Sequence, residues 1–157
     1  MNQPYIRVVR FFDNTVSKTT MQHKGGMTAD IQQFFDAFCT AFSAFDGALI
    51  AQRYAIPYTS LNAEGRLQVF DTPEKIAQYF QVFLNMYYAQ GCRACRFHTL
   101  HVVPLGHMSA VASVTWELLR DDHRIVSRWR ESYNLMKCGN QLRIYASTDH
   151  VDIESRH

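Results

Sequence analysis

"VTWELLRDDHRIVSRWRESYNLMKCGNQLRIYASTDH", residues 114–150, decides the fold. Apolar and polar residues alternate along it, the two-residue period of a half-buried strand. Two turn signals cut the stretch, Asp121-Asp122-His123-Arg124 and Gly139-Asn140. A hairpin centred on the first sets Trp116 opposite Trp129 on one face, with Glu117 opposite Arg128 and Thr115 opposite Arg130 on the other. Rings on one side and an ion pair on the other are what a sheet with one wet face requires. A two-residue turn at Gly139-Asn140 sets Leu135 opposite Ile144, Tyr133 opposite Ala146, Glu131 opposite Thr148 and Trp129 opposite His150. The two registers are read independently and assign the same face to the interior.

Working back toward the N-terminus, the same period predicts strands at about 93–103 and 109–120, joining those at 125–138 and 141–150. Before them the period changes. Ile76, Tyr79, Phe80, Phe83, Leu84 and Tyr87 form a helical stripe, opened by Thr72 as cap and Pro73 at the first helical position, and ended by Gly91. Arg66 to Phe70 and Tyr58 to Asn62 flank Ala63-Glu64-Gly65 as a small hairpin. A short helix, Ala48 to Tyr54, is expected ahead of Pro57. Ile31, Phe34, Phe35, Phe38, Phe42 and Phe45 recur at three and four, a long amphipathic helix with Thr28 as its expected cap. The polar run ending in Gly25-Gly26 divides residues 1–26, read as an N-terminal extension, from one domain over 27–157.

Composition narrows the function. At 157 residues the chain suits one domain, and eleven Phe and eight Tyr suit a core or pocket built of rings. A formal charge of +2, with no basic stripe interleaved with aromatics, speaks against nucleic acid. No apolar run reaches the roughly 20 residues that span a bilayer. Arg7 and Arg10 interrupt the only apolar stretch near the start, so a cytoplasmic location is expected, with Cys39, Cys92, Cys95 and Cys138 as reduced thiols.

The order of elements, with the phrases "FDGALIAQRYAIPY" at 45–58, "DTPEKIAQYF" at 71–80 and "RWRESYNLMKCGNQLRI" at 128–144, resembles the nuclear transport factor 2-like superfamily, in particular its SnoaL-like branch. The resemblance covers about residues 28–150. It implies an α+β fold in which a cone-like (cystatin-like), curved antiparallel sheet receives the N-terminal helices on its concave face. It also implies a homodimer through the open sheet face. The superfamily holds isomerases, dehydratases, epoxide hydrolases, cyclases and non-catalytic proteins, so the fold leaves the chemistry open. Where ketosteroid isomerases carry an aspartate base, alignment on Tyr54-Ala55 places Asn62, which cannot take a proton. Their acidic oxyanion residue falls near Asn134 or Tyr133.

Glu131 is the first candidate for chemistry. The register turns it inward with Trp129, Tyr133 and Leu135, and a carboxyl group among rings has its pKa raised toward neutrality. The plain alternative is a satisfied polar spot in the core, bonded to Thr148. His98 is the expected partner in acid–base work, lining the same cavity together with His150. Tyr54 and Tyr58 are expected at the pocket mouth, and Trp116, Trp129 and Tyr133 as its wall, although rings there serve equally as packing. Cys92, Cys95, His98 and His101 have a tempting metal spacing, but residues three apart on a strand face opposite sides. No metal and no cofactor is therefore called for. The expected function is to bind a small apolar or amphipathic molecule. One alternative is a cofactor-independent isomerase, dehydratase or cyclase using Glu131; the other is a protein-interaction module with a filled core.

Overall fold

The structure, a computed structural model, describes residues 26–151. The expected extension therefore lies, but for Gly26, outside the described residues. Three helices precede or interrupt six strands: α1 (Met27–Phe42), α2 (Gly47–Ala51), β1 (Tyr54–Leu61), β2 (Leu67–Phe70), α3 (Pro73–Ala89), β3 (Ala94–Leu105), β4 (Ser109–Leu119), β5 (Ile125–Cys138) and β6 (Gln141–Asp149). The strands form one sheet in the order β2-β1-β6-β5-β4-β3. All neighbours are antiparallel except β1 and β6, which run parallel. The sheet is curved and open, with the helices against one face, the α+β arrangement expected. No helix among the described residues is long and apolar enough to cross a membrane.

Local chemistry accounts for the helix boundaries. Thr72 Oγ1 accepts from the Lys75 amide at 3.2 Å, with Pro73 opening α3 where a missing N–H costs nothing. Asp46 caps α2 through the Ala48 amide at 2.8 Å. Gly91 ends the α3 turn at φ +93°, and the Arg120 guanidinium lies where a Cβ would project. Two expectations shift. Gly26, not Thr28, precedes the first turn of α1, which starts at Met27 without a side-chain cap. The short helix stops at Ala51, because Tyr54 already pairs with Ile144 as the first residue of β1.

The stripe on α1 packs across the sheet. Phe35, fully buried, meets Trp116 at 5.8 Å and Tyr133 at 5.4 Å between ring centroids, and Phe38 meets Trp116 at 5.4 Å. Each such ring withdrawn from water stabilises the fold by about 1.5–3 kcal/mol. α3 lies further along the same face, with Phe80 4.9 Å from Tyr54 and Tyr87 stacked near Trp129 at 6.4 Å.

The first hairpin register holds as expected: Trp116 faces Trp129, Glu117 faces Arg128 and Thr115 faces Arg130. The second holds only beside its turn, where Leu135 faces Ile144. A bulge then slips the ladder, since Leu135 opposes Ile144 but Asn134 opposes Ala146, leaving Tyr145 unopposed. Beyond it Tyr133 faces Ser147 rather than Ala146, and Glu131 faces Asp149 rather than Thr148. The expected Trp129–His150 pair is lost for the same reason. One extra residue thus changes which side chains of β6 look inward.

Candidate functional site

Between α1, α3 and the inner face of the sheet the packing leaves a cavity of about 330 Å³. That is near the lower end of the range for small-molecule sites, roughly 300–1,000 Å³. Its walls are mostly rings: Phe38 from α1, Tyr79, Phe80, Phe83 and Tyr87 from α3, Tyr54 and Tyr58 from β1, and Trp116 and Trp129 from the long strands. Glu131, Asp149, Ser60 and Ser147 bring polar groups into it.

Glu131 sits at the centre of a short hydrogen-bond chain. Trp116 Nε1 donates to the Tyr133 hydroxyl at 2.7 Å, and that hydroxyl donates to Glu131 Oε2 at 2.6 Å. Trp129 Nε1 donates to the same Oε2 at 3.1 Å. Oε1 carries neither bond. Burial among the rings pushes the Glu131 carboxyl up to about 7, with the facing Asp149 carboxylate adding to the shift and the Tyr133 and Trp129 donors opposing it. At neutral pH this group therefore exists in both forms, able to give or to take a proton. Asp149 is itself raised, by burial first and by Glu64 second, with His150 acting against.

The tyrosines are donors that stay protonated. Tyr58 hydroxyl and Ser147 Oγ lie 2.6 Å apart. Burial holds Tyr54, Tyr58 and Tyr133 above the ordinary phenol range and Tyr87 at about 12. Tyr54 and Tyr58 are almost wholly buried, so they form the inner wall of the cavity, not its mouth as expected.

Trp116, Trp129, Glu131 and Tyr133 are brought together as the first hairpin requires. His98 is not among them. Phe97, opposite Trp116, is the inward residue of β3, so His98 projects from the outer face, with Nε2 3.3 Å from Glu117 Oε1. His150 borders the cavity but is exposed, its Nε2 2.7 Å from Ser132 Oγ on the outward side of β5. Sequence reasoning missed Asp149 and Ser147, which only the bulge at Tyr145 turns inward. Tyr79 and Tyr87 were legible as part of the helical stripe but were not assigned to a site. On the outer face Glu117, 2% exposed, accepts from Arg96 Nε at 2.6 Å and Arg128 Nε at 2.7 Å. Asn62 caps the β1–β2 loop by accepting from the Arg66 amide at 2.8 Å.

Comparison with known proteins agrees with this architecture. The family described as NTF2-like protein (DUF6841) matches residues 29–152. The protein Aln2 from a Streptomyces species superimposes with a TM-score of 0.65 at 14% identity, over 79% of this chain and 89% of its own. An NTF2-like protein with a cystatin-like fold from Novosphingobium aromaticivorans gives 0.65 at 11%, over 82% and 83%. A domain of unknown function with a cystatin-like fold from Nostoc punctiforme gives 0.62 at 17%, over 82% of each chain. At these identities the likeness is one of fold alone. No curated protein matches the chain in sequence.

Proposed function

We propose, from the premise that this chain belongs to the family NTF2-like protein (DUF6841), that it binds a small, largely apolar molecule in the cavity and holds that molecule's polar group on Glu131. The observation that carries the reading is the placement of Glu131. Its carboxylate, with a preorganised pair of indole and phenol donors, lies on the inner wall of a ring-lined cavity. Concave apolar sites with a few convergent polar groups are where small ligands bind. The described residues also leave the interior unfilled, which favours a bound molecule over the filled core expected of a pure interaction module. Within the superfamily we place the chain beside the SnoaL-like branch, on the phrases at 45–58 and 128–144.

A second reading, a cofactor-independent acid–base enzyme, is favoured by the burial of Glu131 among rings, which pushes its carboxyl up to about 7. Its partner there is Tyr133 or Asp149, since His98 faces away. The binding reading is tested by thermal shift with 2-naphthol, a flat apolar ring carrying one hydroxyl. Saturable stabilisation of the wild type is expected, as a ligand selective for the folded state requires. In Glu131→Gln the apparent Kd weakens about tenfold, the loss of a charge-assisted hydrogen bond. A wild type whose Tm ignores the probe up to its solubility would refute the reading.

A further inference from the structure

The charge inside the cavity is of one sign. Glu131 and Asp149 face each other across the β5–β6 ladder, and both line the cavity. Among the described residues that line it there is no Lys or Arg, and His150 at the rim turns its ring to Ser132. Like charges directly opposite on one face of a sheet are destabilising, and walls of rings strengthen the repulsion by excluding water. The outer face shows how this chain treats a carboxylate that serves the fold: Glu117 is met by two arginines. Among the described residues Glu131 receives only neutral donors, and Asp149 has no hydrogen-bond or ion-pair partner for its carboxylate. The cavity therefore offers two acceptors that the described residues leave without a counter-charge, beside ring faces whose quadrupoles attract cations.

Resting on the pocket reading above, we infer that the molecule bound there is an organic cation, an amine on a flat apolar body. Its ammonium group lies between Glu131 and Asp149, and its body lies among the rings of Tyr54, Tyr87 and Trp129. An ammonium group has donors for both carboxylates at once and converts their repulsion into attraction. A neutral hydroxyl has one hydrogen to give, and an anion adds a third negative charge. The ring-lined walls set the other half of the specificity, because a small hydrated cation such as an alkali ion would give up its water with too few oxygens in return.

Tryptamine, tryptophol and indole-3-acetate share one indole and differ by an ammonium, a hydroxyl and a carboxylate. Calorimetric titration of each into the full chain at about pH 8 tests the inference. Tryptamine is expected to bind at least about tenfold more tightly than tryptophol, the margin of an ammonium shared by two carboxylates over one hydrogen bond from a neutral hydroxyl, with indole-3-acetate weakest. In Asp149→Asn and in Glu131→Gln most of that margin disappears, while tryptophol stays within about threefold of wild type in Asp149→Asn and weakens about tenfold in Glu131→Gln, as a hydroxyl held on Glu131 does; two variants guard against one of them folding poorly. Tryptophol binding as tightly as tryptamine would overturn the cation and leave the pocket reading intact. So would a margin that survives in both variants. If none of the three binds, the pocket reading itself fails, and this inference with it.

Discussion

Glu117 on β4 and Glu131 on β5 carry the same side chain on neighbouring strands and face opposite sides of one sheet. On the outer face the guanidinium of Arg96, with help from Arg128 and His98, holds Glu117 down to about 2 although partial desolvation works the other way. On the inner face burial, with Asp149 behind it, lifts Glu131 to about 7. The difference lies in the partners, since both groups have hydrogen-bond donors. Charged donors compensate a carboxylate for lost water, and an indole and a phenol do not. The outer glutamate is arranged to stay ionised. The inner one is held where small changes in its surroundings decide its charge.

The comparison makes its largest claim about pH. An acid whose folded-state pKa lies above its unfolded value, here about 7 against 4.5, leaves the folded chain holding the extra proton between those two values. Its stabilising contribution is complete below about 4.5 and is lost as pH rises through about 7. At about 1.4 kcal/mol per unit, and allowing for the water that enters the cavity, roughly 2 kcal/mol is at stake. Urea unfolding of wild type and Glu131→Gln between about pH 4.5 and 8 should show the wild type losing that much relative to the variant. Parallel pH profiles would remove the inner half of the comparison.

Much of this was legible before any coordinates. The pairing of Trp116 with Trp129 and of Glu117 with Arg128 follows from alternation and a turn, and it fixed the opposed directions of Glu117 and Glu131. The identity of the inner carboxylate's neighbour did not follow. Alternation carries no warning of a bulge, because the unopposed Tyr145 is as good a strand residue as its neighbours. His98 was misplaced for another reason. Alternation alone sets no register between β3 and β4, although Phe97, the apolar ring beside His98, marks the inward position and so sends His98 out. The cavity was expected from the fold, but its enclosure by Tyr54 and Tyr58 was not. Their strand begins at Tyr54, three residues before Pro57, where the sequence reads as the end of a short helix, and not at Tyr58 as the hairpin alone suggests.

A smaller effect sharpens the inner half. Asp149→Asn removes the second cause of the Glu131 shift and one member of a like-charged cross-strand pair. The Glu131 carboxyl pKa, followed by carbon NMR, should fall. Stability at about pH 8 should rise by about 0.2–1 kcal/mol, the scale of such pairs. A gain in stability from deleting a polar group marks a site kept for binding, not for the fold. An unmoved Glu131, or a destabilised variant, would show that the two carboxyls do not sense each other.

The smallest effect belongs to the outer face. Arg96 and Arg128 have side chains 55% and 58% exposed, so water and salt screen what they do for Glu117. The sign is nonetheless the reverse of the inner site. A carboxyl depressed from 4.5 to about 2 stabilises the fold above its unfolded value, and that contribution is lost as pH falls through about 2. Glu117→Gln should therefore unfold slightly more easily than wild type near pH 7, with the gap narrowing below about pH 4 and shrinking in high salt. A gap that widens toward acid, or that ignores salt, would mean Glu117 is held by packing instead of charge. Opposite slopes from one residue type, read on two sides of one sheet, would tie each shift to its partners, because the side chain and the sheet are shared and the partners are not.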